Sequence, residues 1–415
     1  MKPRQAALRD RFVKSCLLAI LFSVSVFSFG QAQPRAIPPH VQPGNDALTF
    51  KAQEHFYNME YDQAIKDYEE VLKLHPQDPF AYNYLAAAIV FKELYRIGAM
   101  DAESYANESF LDIKAKRPLD PEVKKRALAL IDKSEALCNA RLQANPKDVD
   151  ALYARGVERG MKSTYMGLGE KAWLPAIRSA LSARRDHEKV IEIDPSYVDA
   201  KLVVGMHNYI IGSLNWAYRM AVALVGVSGN KQKGMAYIRE VAYGNSLANM
   251  DAKIALALFL RHEQKYDECL KLVKGMTERY PRNFVAALEY GNTLNAAGKG
   301  REALDYYEQL LAAIRAGKFP LAQPELVEVG LGISARGQRQ FELAAKSFDG
   351  ASAVPDTDAD LKRRATLLAG EMWDELGDRK LALERYRKVI ASGSGPDADR
   401  AKKRIKQPYH YVEKQ

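Results

Sequence analysis

Residues 284–311 read FVAALEYGNTLNAAGKGREALDYYEQLL, and the layout of this stretch decides the fold. Its small and aromatic residues recur at a spacing of 34 residues from Met250 to Phe284, and the segment from Asn45 repeats the layout. Each segment is typical of two amphipathic helices, which cannot bury their apolar faces alone. Stacked helix pairs share a continuous core. The sequence therefore predicts an all-α fold, an α-solenoid of helix hairpins.

The recurring positions carry small residues where two helices approach closely and larger apolar residues that fill the core. In the segment from Phe284 they are Tyr290, Gly291, Leu294, Ala303, Tyr307 and Leu310, and in the segment from residue 325 they are Leu331, Gly332, Phe341, Ala344, Phe348 and Ala351. This pattern resembles the tetratricopeptide repeat family over about residues 45–396, with departures at 91–120 and 160–182. The resemblance implies a right-handed superhelix of hairpins with two irregular helical insertions.

The repeats are more regular in the second part of the chain. Residues 45–247 are predicted as degenerate tetratricopeptide-like repeats with insertions, and residues 248–396 as regular repeats. Residues 397–415 form a basic tail, predicted as a cap helix with a polar face, which terminal repeats need.

The N-terminus has the three parts of a secretory signal peptide. Five basic residues precede the apolar run at 16–29, and Gly30-Gln31-Ala32 places small residues at a cleavage site. We expect cleavage near Ala32, a proline-rich linker at 33–44, and a periplasmic or exported protein. An uncleaved membrane anchor is the alternative, although the apolar run is short for a span.

Charge and cysteine content limit the classes of partner. Loss of the signal peptide would lower the net charge from +9 to about +5. This mild excess does not indicate nucleic-acid binding, although it could favour binding to an anionic membrane surface. Cys138 and Cys269 fall at inward positions of different repeats, so we expect free, buried thiols rather than a disulfide.

No motif in the sequence indicates catalysis. Nucleophile-elbow and zinc-protease motifs are absent, and Gly229–Gly234 lacks the spacing of a phosphate-binding loop, so a connecting turn and helix start is expected there. The seven histidines show no metal-ligand spacing. We therefore expect a protein that is not an enzyme and that uses no cofactor and no metal.

In the tetratricopeptide family the first helix of each hairpin lines a concave groove, and the resemblance places particular side chains in it. Interhelix packing is the alternative for the aromatic ones. The family's carboxylate clamp for chaperone tails is absent. The predicted partner-binding residues are Phe56, Tyr57, Phe80, Asn83, Tyr153 and Tyr209 in the N-terminal half of the chain, and Arg261, Asn292 and Asn295 in the C-terminal half.

Residues 209–228 are the most apolar stretch outside the signal peptide. Arg219 makes a membrane span improbable because a charge at mid-bilayer is costly. A helix buried on both faces is the first interpretation, and an apolar flap that lines a cavity or touches a membrane is the second. The following pattern Gly229-Asn-x-x-Lys-Gly-x-x-x-Ile238 resembles a segment of the periplasmic tetratricopeptide proteins of TRAP transporters and of a eukaryotic outer-membrane tetratricopeptide family.

These features lead to one functional hypothesis with two alternatives. The first is a non-catalytic periplasmic scaffold that binds another protein or an envelope complex in a concave groove. The second is a periplasmic protein that binds a small solute and is associated with a transporter, in which residues 160–247 close over a cavity. The third is a membrane-peripheral envelope assembly factor that uses the basic tail.

Overall fold

Helices dominate the computed structural model, which describes residues 46–100, 117–223, 226–244 and 246–412 and contains no strand in that part of the chain. The chain divides into two compact units, Met1–Glu263 and Gln264–Gln415. The predicted signal peptide, the linker and residues 101–116 of the predicted departure at 91–120 lie outside the described residues and stay predictions. The predicted boundary between degenerate and regular repeats at 247/248 lies within the described residues and also stays a prediction.

The first unit consists of consecutive helix pairs. Its described helices are α1 (Ala47–Tyr57), α2 (Tyr61–Leu74), α3 (Pro79–Arg96), α4 (Pro121–Ala144), α5 (Val149–Thr164), α6 (Trp173–Ile193), α7 (Lys201–Ser213), α8 (Trp216–Ala223), α9 (Lys231–Tyr243) and α10 (Asn249–His262). Neighbouring helices pack in chain order, except that α7 pairs with α9 across α8.

The second unit also consists of consecutive helix pairs. Its described helices are α11 (Tyr266–Arg279), α12 (Phe284–Ala296), α13 (Gly300–Arg315), α14 (Pro324–Gly337), α15 (Phe341–Ala353), α16 (Ala359–Glu375), α17 (Arg379–Ala391) and α18 (Pro396–Lys406). Within this unit, α12 also contacts α14, so first helices of successive hairpins lie side by side.

Short polar residues set where the helices begin. The Asp148 carboxylate accepts the backbone N–H of Ala151 at 3.0 Å and starts α5. The Asn283 side chain accepts the N–H of Ala286 at 2.8 Å and starts α12. Such caps satisfy N–H groups that have no partner within the helix.

Close contact between the two helices of a hairpin explains which residue types occupy the repeat positions. A Cβ atom at Gly291 would lie 2.5 Å from Cε1 of Tyr307, and one at Gly332 would lie 2.6 Å from Cε1 of Phe348. Both aromatic side chains have no exposed area. The small residue therefore makes room for the aromatic one. The helix pairs of both units confirm the predicted all-α solenoid of helix hairpins.

Residues 160–174, within the predicted departure from the repeat pattern at 160–182, are mostly helical with one irregular turn. Helix α5 continues to Thr164, a single π-helical turn follows at Tyr165–Gly169, and α6 begins at Trp173. Tyr165 and Leu168 have no exposed area, and the Ser163 hydroxyl donates to the carbonyl of Ala176 at 2.7 Å. Burial of these side chains keeps the extra residues helical.

Candidate binding surfaces

The six predicted groove residues of the first half lie in the core of the first unit. Phe80, Asn83 and Tyr209 have no exposed area. Phe56, Tyr57 and Tyr153 are at most 5% exposed. In this conformation the six side chains pack against other residues of the first unit. This is the interhelix packing that the sequence left open as the alternative. Their role in partner binding stays a prediction.

Specific contacts explain the burial at the centre of this unit. The Asn83 amide nitrogen donates to the carbonyl of Ala154 at 2.9 Å, which ties α3 to α5. The Tyr153 ring lies 6.2 Å from that of Phe80 and 4.9 Å from that of Tyr197, measured between centroids. Aromatic pairs at such distances add to the stability that area burial gives.

Tyr209 joins three helices. Its ring stacks on Phe259 of α10 with centroids 3.9 Å apart, and its hydroxyl donates to the Glu263 carboxylate at 2.7 Å. The Lys231 ammonium of α9 donates to the same carboxylate at 2.8 Å. Burial first, with help from neighbouring Lys231, lowers the pKa of His262 to about 4, so this ring is neutral at physiological pH. The cluster is structural in character.

The three remaining predicted residues, Arg261, Asn292 and Asn295, are partly exposed. The Asn292 side-chain oxygen accepts the Tyr307 hydroxyl at 2.8 Å. Asn295 donates to the Gly330 carbonyl at 3.3 Å and accepts the Ser334 hydroxyl at 2.7 Å. Asn295 therefore bridges α12 and α14, and Asn292 lies one turn away on the same helix face.

The first helices α12 and α14 of the second unit also carry partly exposed apolar residues. Their spacing of three and four residues places them on one face of each helix. We name them, with Asn292 and Asn295, the α12–α14 face; they are Val285 and Leu288 of α12, and Leu326, Val329 and Ile333 of α14.

A second surface lies in the turn of the hairpin that α7 and α9 form. Residues 297–299 suffice to connect α12 with α13, whereas residues 214–230 connect α7 with α9 and include α8. Ile211, Leu214 and Val227 pack together at the base of this insertion. The backbone N–H of Asn230 donates to the Asn208 side chain at 3.1 Å.

Glycines allow α7 and α9 to cross closely beneath the insertion. A Cβ atom at Gly212 would lie 2.3 Å from the backbone nitrogen of Lys231, and one at Gly234 would lie 2.3 Å from that of Tyr209. A Cβ atom at Gly229 would lie 2.7 Å from Cβ of Ile211. The expected turn and helix start at Gly229–Gly234 is confirmed, with Asn230 as the cap of α9.

The insertion helix α8 exposes large apolar side chains. Trp216 is 79% exposed, Met220 60% and Tyr218 47%. Residues 209–228 are therefore not one helix buried on both faces, and that interpretation is wrong beyond Leu214. The chain is extended at Leu214, and the Asn215 side chain accepts the N–H of Tyr218 at 3.1 Å, which starts a new helix. Asn215, a good cap residue before Trp216, was the signal for this break.

The described residues contain neither a candidate membrane span nor a candidate metal site. None of the described helices combines the length and the hydropathy that crossing a bilayer requires. Within the same residues, no three side chains of the His, Cys, Asp or Glu type are grouped as a metal site would need. Cys138 and Cys269 are buried thiols that form no disulfide, as expected from the sequence.

Comparison with known proteins agrees with this architecture. The family model of the tetratricopeptide repeat matches residues 51–91, which cover most of α1, all of α2 and most of α3. No curated protein matches the sequence.

Solved helical-repeat structures resemble the chain only distantly. The human IFIT1 dimer with m7Gppp-AAAA is 13% identical, with 95% of this chain and 84% of that chain covered and a TM-score of 0.41. Yeast Tom70 is 16% identical, with 87% and 94% covered and a TM-score of 0.35. A tetratricopeptide repeat protein from Parabacteroides merdae is 14% identical, with 77% and 97% covered and a TM-score of 0.32. Values this low carry no conclusion about function.

Fold and surfaces together define a helical-repeat binding protein. The family match at residues 51–91 and the packing at the repeat positions support a member of the tetratricopeptide repeat family. Proteins of this kind are generally non-catalytic scaffolds that bind other proteins.

Proposed function

We propose that this protein is a non-catalytic periplasmic scaffold that holds a partner protein on the α12–α14 face. The observation that carries the proposal is the direct contact between α12 and α14, with Leu288 of α12 and Val329 and Ile333 of α14 partly exposed. Adjacent first helices with apolar side chains at three- and four-residue spacing make a surface on which a peptide segment can lie.

The chemistry of the face defines the partner segment. Apolar side chains of the partner would contact Val329 and Ile333, and these contacts would supply most of the binding free energy. The Asn292 amide, held by Tyr307, is positioned to bond the partner's backbone and fix its register. The expected partner is therefore an uncharged, apolar peptide segment of another protein.

Photo-crosslinking in the cell tests the face directly. A photoreactive residue at Leu288 or Val329 should capture one discrete partner band. The same residue at Lys271 of α11 or Glu308 of α13, which are exposed on second helices, should capture little. Capture from the control positions with none from the α12–α14 face would rule out this face as the binding surface.

A substitution then tests the energetics. Ile333→Asp places a charge on the apolar part of the face, and we expect capture from Leu288 to fall at least about tenfold, a loss of about 1.4 kcal/mol. Circular dichroism should remain that of the wild type because Ile333 is only partly buried. Asn292→Ala should weaken capture less, since one neutral hydrogen bond contributes about 1 kcal/mol.

The periplasmic location has its own test. Export with cleavage near Ala32 predicts that N-terminal sequencing of the protein from the cell envelope starts at Gln33. An intact N-terminus on protein recovered from the cytoplasmic fraction would contradict the location and leave the binding face untouched.

A further inference from the structure

The region around the insertion helix carries cations and no acids. No aspartate or glutamate occurs between Asp199 and Glu240, whereas five lysines and arginines do. Among these cations, Lys201 is paired with Glu240 at 2.5 Å and Lys231 with Glu263 at 2.6 Å. A stretch of this composition has a one-sided positive charge that suits an anionic surface.

Arg219 is the unpaired cation of α8. It is exposed, and no described residue forms an ion pair with its guanidinium. Because residues three and four apart share a helix face, Arg219 lies beside both Trp216 and Met220. Trp216 and Met220 are 79% and 60% exposed. One face of α8 thus presents an aromatic ring, a thioether and a positive charge to solvent.

This combination is the one that lies at a water–lipid interface. Tryptophan is enriched at the headgroup level, apolar side chains enter the acyl boundary, and arginine binds phosphate. The helix has eight residues, which is far too short to span a bilayer, so it would lie along the interface. A docking site for an ordinary protein partner gives no reason for the absence of every acid over the whole stretch.

We propose that the insertion helix docks this chain on an anionic membrane surface, with Trp216 and Met220 entering the interface and Arg219 bound to lipid phosphates. The observations that carry the proposal are the exposed apolar face of α8 and its complementary charge. It goes beyond the scaffold function, because it requires neither the α12–α14 face nor a protein partner.

Vesicle binding of the chain as purified, with its N-terminus determined and identical in all variants, tests the proposal. We expect sedimentation with vesicles that contain about one third phosphatidylglycerol, little with pure phosphatidylcholine, and weakening by salt. The double substitution Trp216→Ser/Met220→Ser should reduce binding at least about tenfold. Leu74→Ser, at a position 64% exposed at the end of α2, is the matched control and should bind as the wild type does.

A charge-reversal pair separates specific docking from general attraction. Arg219→Glu should lose binding about tenfold or more, whereas Arg387→Glu, at an exposed position of α17, should change it little. Equal losses in both variants would show that net charge alone drives binding and would overturn the proposal.

Two further results would also overturn it. Binding that survives Trp216→Ser/Met220→Ser but disappears when Lys402, Lys403 and Lys406 become Glu would assign the membrane contact to the C-terminal tail. Absence of vesicle binding, with a dimer in light scattering that Trp216→Ser/Met220→Ser dissociates, would assign α8 to a second copy of the chain. Photo-crosslinking at Leu288 should be unchanged in these α8 variants, so failure here is separable from failure of the scaffold function.

Discussion

Glu158 on α5 is a buried carboxyl group without a hydrogen-bond partner among the described residues. It has no exposed area. Nearby Arg159 is bound to Asp186 and Glu135, at 2.7 and 3.1 Å. Burial first, and the charge of Glu135 second, raise the pKa of Glu158 to about 9, so the group is protonated and neutral at physiological pH.

This raised pKa predicts a pH-dependent stability with a definite sign. Between the carboxyl's pKa in the unfolded chain and about 9, the folded state holds one more proton, so stability is highest at low pH and falls as pH rises. From pH 7 to about 8.5 we expect a loss of about 1.4 kcal/mol per pH unit. Urea unfolding of Glu158→Gln should show a flatter profile, whereas Glu308→Gln, on the surface, should retain the wild-type slope. Equal slopes in all three proteins would contradict the assignment.

Single residues also show which structural roles could be predicted from the sequence. Gly291 and Tyr307 were predictable because their roles depend on each other within one repeat, at a fixed spacing. The burial of Asn83 was not predictable, because its hydrogen-bond partner, the carbonyl of Ala154, belongs to a different repeat. A position in the repeat predicts the helix face, whereas exposure of that face depends on what the neighbouring repeats place over it.

At the scale of elements, the sequence showed an apolar segment but not its surroundings. Residues 209–228 are apolar throughout, and composition does not distinguish a buried helix from an exposed one. The break at Leu214 and Asn215 makes the difference, since it separates the buried α7 from the exposed α8. In the C-terminal tail, α18 buries only Ala398 and Ala401, and its predicted role as a cap stays a prediction. Its Arg400 and Arg404 are bound to the fully buried Glu371 at 2.7 and 3.1 Å.

The crossing of α7 and α9 gives a prediction with an internal control. Gly234→Ala would place Cβ 2.3 Å from a backbone nitrogen, so the helices would have to separate, and we expect a loss of about 1–3 kcal/mol. Gly275→Ala, in helix α11, meets no atom within 4 Å and should stabilise by about 0.5–1 kcal/mol through helix propensity. Urea unfolding measures both, and a neutral Gly234→Ala would show that the crossing is loosely packed.

At the scale of the whole molecule, the described part of the chain has no covalent cross-link, and each unit contains one buried thiol. Cys138 belongs to the first unit, where burial raises its pKa to about 12. Cys269 belongs to the second, has no exposed area, and lies 3.8 Å from the Thr293 hydroxyl. Stability must therefore come from the helix interfaces within each unit.

These thiols predict a labelling pattern that reports on both units separately. Alkylation requires an accessible thiolate, so near pH 8 we expect neither Cys138 nor Cys269 to react with iodoacetamide in the native protein. Both should react in concentrated urea, without prior reduction. Peptide mass mapping after pulses at increasing urea then follows each unit through its own cysteine. Rapid native labelling of Cys138 would contradict the packing of α4 against α5, and a disulfide in the unreduced digest would contradict the separation of the two thiols into different repeats.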